Sequence, residues 1–134
     1  MAAKKGFTVK VSSRYPEWWR YNAELMCGCF DEEDRRIGFA TASSHIADTG
    51  SELREPPAGT EPERKIVLTT PPCDHLQLYV YIIPHTLPPT DDIDRTQPFD
   101  IEITIACENR RIGRFTRKIN QWSGASIEMR ADRK

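Results

Sequence analysis

Two short runs, Cys27-Gly28-Cys29 and Cys73-Asp74-His75, come nearest to recognisable site chemistry in this chain. Together they could supply the thiolate and imidazole donors of a tetrahedral zinc site. Zinc knuckles usually separate their cysteines by about two to four residues, so that both sulfurs turn inward from one loop. A Cys-x-Cys pair inside a strand instead sets both thiols on one face, about 7 Å apart. Free cysteine is also among the most buried residue types. Cys27, Cys29 and Cys107 therefore read as core filler. Cys73 and His75, at a turn, are the fragment left to hold a metal. No motif asks for a cofactor.

Other constellations carry two readings each. Asp31-Glu32-Glu33-Asp34 and Asp91-Asp92-Ile93-Asp94 could gather a hard cation such as calcium at one end of a sandwich. Neither resembles an EF-hand loop, and aspartate suits turns through its own local hydrogen bonds. Tyr15, Trp18, Trp19 and Tyr21 crowd one strand entry, where alternation turns Trp19 and Tyr21 inward and leaves Trp18 outward beside Arg20. There Trp18 either stacks on a sugar or anchors a protein contact, or is covered by the irregular stretch 42–64.

Between Arg110 and Lys118 neither phase is cleanly apolar. Arg110, Arg111, Arg114, Arg117 and Lys118 spread charge over both faces, which suits a sheet edge guarded against unwanted pairing. The same side chains could meet phosphate or an acidic protein surface. The interleaved surface aromatics that would favour nucleic acid are missing. His45, His75 and His85 all lie in or beside loops, and a hydrolase would need one of them near a carboxylate in a pocket. No Gly-x-Ser-x-Gly, phosphate-binding glycine loop or His-Glu-x-x-His occurs, so no nucleophile is matched to a base.

The elements that would position these groups are strands. In Asp100–Cys107, Ile101, Ile103, Ile105 and Cys107 alternate with Glu102, Thr104 and Ala106, the period of a half-buried strand. Similar alternation runs through Phe7–Ser12, Trp18–Cys29, Arg36–Thr41, Lys65–Thr70, His75–Ile83 and a last strand around Ile127 and Met129, and Arg111–Lys118 pairs with Asp100–Cys107 through the tight Glu108-Asn109-Arg110 turn. In Arg36–Thr41, Ile37 and Phe39 are in phase. A helix starting at Asp31 competes for that region, although Gly38 and the Thr and Ser run weaken it. Both faces of His75–Ile83 are apolar enough for a central strand, buried on both sides toward its end. Two hairpins echo each other: each has a strand ending near Cys, an acidic turn, Arg-Arg-Ile-Gly and an aromatic, at 29–39 and 107–115. Duplication would explain the echo, and so would two hairpins solving one turn problem.

Residues 42–64 lose all periodicity and are too long and polar for a passive connection, so they read as a mobile linker or as a binding loop; 84–98 form a second such loop with four prolines and three aspartates. At 134 residues the chain is one ordinary domain, 1–134, able to bury a core without disulfides or metal. A mean hydropathy of -0.61 predicts a water-soluble surface. Phe7–Val11 reads as a strand where a signal peptide needs an apolar stretch, so the expected location is the cytoplasm, with the cysteines as thiols. The net charge of -1 favours neither nucleic acid nor a membrane as bulk partner. Charge is nonetheless uneven, with nine acids and four bases in 31–64 against three acids and eight bases in 108–134. Such asymmetry can orient an encounter or simply mark two solvated regions.

The expected architecture is all-β, an antiparallel β-sandwich of about eight strands with two long Pro-rich loops. The leading function is a non-catalytic binding or structural module, working through contacts with another protein or with a second copy at Trp18 or the 110–118 strand. A module binding a small ligand, carbohydrate or metal, through loops 42–64 and 84–98 is the alternative. A small hydrolase whose site is hidden from the sequence is the third.

Overall fold

Residues 6–133 are described by the computed structural model. Eight strands account for the alternation: β1 (Phe7–Ser12), β2 (Tyr21–Phe30), β3 (Arg36–Ser44), β4 (Ile66–Thr69), β5 (His75–Pro84), β6 (Phe99–Cys107), β7 (Arg110–Ile119) and β8 (Ala125–Asp132). They form two four-stranded antiparallel sheets, in the orders β4-β1-β6-β7 and β3-β2-β5-β8. The fold is an antiparallel β-sandwich. Among the described residues there is no α-helix, only single 3-10 turns at Trp18–Arg20 and Ile93–Arg95. The acidic run 31–34 closes the β2–β3 hairpin instead of starting a helix.

One phase of each central strand fills the space between the sheets. Val9, Val11, Ile101, Ile103 and Ile105 from one sheet meet Leu25, Cys27, Leu76, Leu78, Val80 and Ile82 from the other, all fully buried. Burying each such aliphatic side chain contributes about 1.5–3 kcal/mol, which is why the alternation dictates the fold. β5 is central, flanked by β2 and β8, but its second face stays open. Tyr79 and Tyr81 are half-buried and Ile83 is exposed, because no layer packs outside that sheet.

The two echoing segments are the two hairpins, one in each sheet. Both carry a register shift at the same place in Arg-Arg-Ile-Gly. In β2–β3, Phe30 faces Arg36 and Cys29 faces Gly38, which leaves Ile37 as the extra residue. In β6–β7, Ala106 faces Arg111 and Ile105 faces Gly113, which leaves Ile112 extra. A β-bulge of this kind switches which phase faces the core. Beyond it, Gly38, Ala40 and Ala42 lie opposite the buried Cys29, Cys27 and Leu25. Phe39 is thereby turned outward, 57% exposed, with Ile37 at 53%. The bulge also explains the mixed phases of β7, where Ile112 and Phe115 both pack on the core despite their spacing.

The strands alternate in direction, so the connections sort by end. The hairpin turns at 31–35 and 108–109 and the β4–β5 turn share one end. The links β1–β2, β3–β4, β5–β6 and β7–β8 share the other, and each crosses from one sheet to its partner. Both long loops, now 45–65 and 85–98, belong to this crossover end.

Candidate functional site

At the crossover end the two long loops fold onto one another above a buried polar floor. His85, immediately after β5, is buried, and its Nε2 donates to the carbonyl of Trp19 at 2.7 Å. That bond fixes the tautomer and leaves Nδ1 as an acceptor. Facing Nδ1 are the hydroxyls of Thr86 at 2.8 Å and Ser51 at 3.0 Å, themselves in contact, so their two protons are shared among Nδ1, the His85 carbonyl and one another. Burial holds the imidazole below the usual histidine range, in the neutral form this network needs.

The first loop is tied to this floor by backbone as well. The Gly50 amide donates to His85 O at 3.1 Å and Ser51 Oγ to the same carbonyl at 3.0 Å. Gly50 takes φ 95°, a left-handed conformation that glycine adopts without strain. Deeper in the same loop, Asn22 of β2 receives the Ile46 amide at 2.7 Å and donates to Ala47 O at 2.7 Å. Polar residues that looked like linker are thus fastened at several points.

Between the loops is a cavity of about 840 Å³, bordered by Arg20, Ser51, Leu53, Arg54, Thr86 and Leu87 among others. This size is within the range of small-molecule sites. Its walls include Leu53, Leu87 and the rings of Pro84 and Pro89, while Ser51, Thr86 and Arg20 supply polar atoms. Arg20 is held rigidly. Its Nε donates to Glu17 at 3.2 Å, Nη1 to Leu87 O at 2.9 Å, and its guanidinium carbon lies 4.6 Å from the centre of the Trp19 ring.

The tryptophans and arginines singled out in the sequence lie elsewhere. Trp18 is not a surface platform: the 3-10 turn replaces the first residues of the expected long strand and drives Trp18 into the core, 0% exposed. Its ring lies against Tyr21 and Phe99, and Nε1 donates to Arg64 O at 3.1 Å. The cover is Arg64, from the end of the 45–65 loop, whose guanidinium carbon is 4.7 Å from the Trp18 ring centre. Arg64 donates to Ser44 Oγ at 2.8 Å, to Trp18 O at 3.2 Å and to Tyr21 O. With carbonyls and a hydroxyl as its partners, burial pulls it down to about 10. Sequence reasoning gave this arginine no role, since it sits in an aperiodic run.

The basic strand β7 is a sheet edge, as its charges suggested. Arg114 pairs with Glu102 at 2.7 Å and Lys118 with Asp100 at 3.0 Å, both on neighbouring β6. Arg110 donates to Arg133 O at 3.2 Å, Arg117 lies 5.5 Å from the Phe115 ring centre, and Arg111 is exposed. These five are spread along the strand and do not converge on a pocket.

Cys73 and His75 do not form a ligand pair. Cys73 turns into the hairpin end of the core toward Cys29 and the Thr70 hydroxyl. His75 stacks on Phe30 with Nε2 on Asp34 at 2.7 Å and Nδ1 on Asp74 at 3.0 Å, so both ring nitrogens are taken. Among the described residues no cluster of three or more His, Cys, Asp or Glu is disposed to hold a metal. The acidic runs lie at opposite ends of the sandwich and cannot share a cation. In the first, the Asp31 carboxylate accepts the Glu33 and Arg35 amides at 2.9 Å, which holds it below its ordinary range.

No family model matches the chain, and no curated protein matches it. Among solved structures it resembles a DUF4425 family protein from Bacteroides ovatus ATCC 8483, with a TM-score of 0.44, 9% identity, and 96% of this chain and 94% of that chain covered. It also resembles a domain of unknown function, DUF4425, from Bacteroides vulgatus ATCC 8482, with a TM-score of 0.48, 5% identity and full coverage of both chains. At these values the likeness bears on neither family nor function.

Proposed function

We propose that this chain is a non-catalytic binding module whose ligand seat is the cavity between loops 45–65 and 85–98. One observation supports this above others: two polar, aperiodic loops are pinned by a buried Ser51–His85–Thr86 network beneath an open cavity of about 840 Å³. A passive connection has no need of a preorganised polar floor. The hydroxyl and imidazole do stand at the spacing of a nucleophile and base. However, Thr86 competes for Nδ1, and the Ser51 hydroxyl also donates to the His85 carbonyl, so its proton is not committed to the imidazole. A serine nucleophile needs that proton on its base. Binding is the reading that remains.

The test is a thermal-shift screen of small organic molecules, sugars, calcium and zinc, repeated on Leu53→Trp, which fills the mouth from a half-buried position. A compound that stabilises the native chain and loses most of its effect on Leu53→Trp supports the seat. No shift across the panel, or shifts indifferent to the substitution, would refute it.

A second reading, contact with a protein partner or a second copy, is supported at β3 instead of at Trp18 or β7. Of the four sheet edges, β4 has four residues, and β7 and β8 carry charges along their length. β3 has none after Arg36 over nine residues and exposes Ile37 and Phe39, with β4 of the other sheet alongside part of it. Long uncharged edges invite strand pairing. Light scattering across concentration, with Thr41→Lys as the protected variant, tests it; a strict monomer at high concentration would remove self-pairing.

A further inference from the structure

Resting on the cavity reading, we infer that its ligand is a small monocarboxylic acid with an apolar body, oriented by Arg20. The side chain of Arg20 is 6% exposed and borders the cavity. Glu17 takes Nε and the Leu87 carbonyl takes Nη1, whereas Nη2 makes no hydrogen bond to any described residue. No buried side-chain nitrogen or oxygen among the described residues lacks a partner. Nη2 is therefore not sealed within the core, and Arg20 borders the cavity. A guanidinium already fixed by an ion pair, a carbonyl and the Trp19 ring presents this remaining edge with little entropy left to lose.

The available donor selects the ligand's headgroup. Glu17 offsets Arg20 and Glu52 offsets Arg54, so the border is balanced and carries no surplus positive charge for a doubly charged phosphate. One guanidinium nitrogen without a partner among the described residues suits a single carboxylate. A carboxylate oxygen on Nη2 would gain a charge-assisted bond, and Arg54 also borders the cavity. The ligand's body would lie against Leu53, Leu87 and Pro89. Neutral His85 does not compete as a cation, since its bonds to Trp19 O, Ser51 and Thr86 account for both ring nitrogens.

Octanoate, 1-octanol and octylamine, which share one chain and differ in headgroup, form the test. Binding to the full chain is followed by amide chemical shifts and calorimetry. Octanoate should bind about 10- to 100-fold more tightly than 1-octanol, the range of a charge-assisted bond, with octylamine weakest and shifts centred on 49–54 and 84–89. Arg20→Lys should weaken octanoate and leave 1-octanol unchanged; Arg54→Gln, at an exposed position, should weaken octanoate only a few-fold, and it serves if Arg20→Lys fails to fold. Equal binding of octanoate and 1-octanol within the cavity would overturn the carboxylate inference and leave the cavity reading standing. Octanoate shifts mapping elsewhere would overturn the inference too. No binding by any of the three would overturn it as well, and the cavity reading would then be judged by its own screen.

Discussion

Raising the pH from 7.5 to 9.5 should destabilise this protein through its buried thiols. Cys29 and Cys73 are both buried and are pushed up to about 11 from an ordinary 9.0, chiefly by desolvation. In the unfolded chain a thiol of ordinary pKa is about three-quarters ionised at pH 9.5; at the folded value only about 3% is. The unfolded state therefore binds fewer protons, and stability must fall as pH rises through this window. The linkage amounts to about 0.8 kcal/mol per thiol at pH 9.5, or about 1.6 kcal/mol for the pair. Cys27 and Cys107 are raised as well and act in the same direction. At pH 9.5 an unfolded tyrosine is about a quarter ionised, so buried Tyr21 adds only about 0.2 kcal/mol in the same direction. The assay is urea unfolding followed by far-UV circular dichroism, under strong reductant, at half-unit steps. The Cys29→Ala/Cys73→Ala double variant should start less stable yet lose clearly less on alkalinisation. A flat native profile, or an equal slope in the double variant, would refute the reasoning. A metal held by these sulfurs would reverse the sign, because coordination requires thiolates.

Three further outcomes follow from single residues. Arg64→Met should cost about 2–4 kcal/mol in urea unfolding, since the Trp18 and Tyr21 carbonyls lose a charged donor; Trp18 emission should shift to the red, and an unchanged spectrum with unchanged stability would contradict its role as cover. His85 is held below its ordinary 6.5, so its contribution is present above that pH and lost as the pH falls below it, when the unfolded chain protonates first. That acid-side loss, read by hydrogen exchange of the 45–53 amides between pH 7 and 5, should vanish in His85→Gln. Ser51→Ala should raise exchange at Gly50 and its neighbours several-fold with little change in global stability, because it removes a pin on a loop and no core packing.

The sandwich was legible because burial is periodic: Ile101, Ile103 and Ile105, or Leu76, Leu78 and Val80, leave little choice of face. What periodicity alone could not show was a change of phase. Ile37 and Phe39 look like an inward pair until the bulge at Ile37 turns Phe39 to solvent and hands the core to Gly38, Ala40 and Ala42. The repeated Arg-Arg-Ile-Gly was the available signal, since two hairpins bulge at the same isoleucine. Trp18 was misplaced for a related reason, because alternation was extended across a 3-10 turn whose three side chains are all buried. The cavity's polar floor was less readable still. Ser51, His85 and Thr86 meet across a separation of about 34 residues in two loops without periodicity, and no spacing rule links them.

The position of the cavity, by contrast, follows from counting. In a sandwich whose eight strands alternate in direction, every connection from an odd to an even strand lies at one end. The two recurrent hairpins join even to odd strands, β2 to β3 and β6 to β7, and their tight turns consume the other end. Both long aperiodic stretches, β3 to β4 and β5 to β6, must then emerge together, each obliged to cross from one sheet to its partner. Two polar loops crossing the same rim bury some polar groups where they meet, and those groups need partners. His85, Ser51 and Thr86 satisfy one another and the Trp19 carbonyl, but Arg20 is left with a nitrogen that no described residue uses. The topology thus accounts for why a recess exists at this rim, and the Arg20 nitrogen without a partner among the described residues gives it chemical direction.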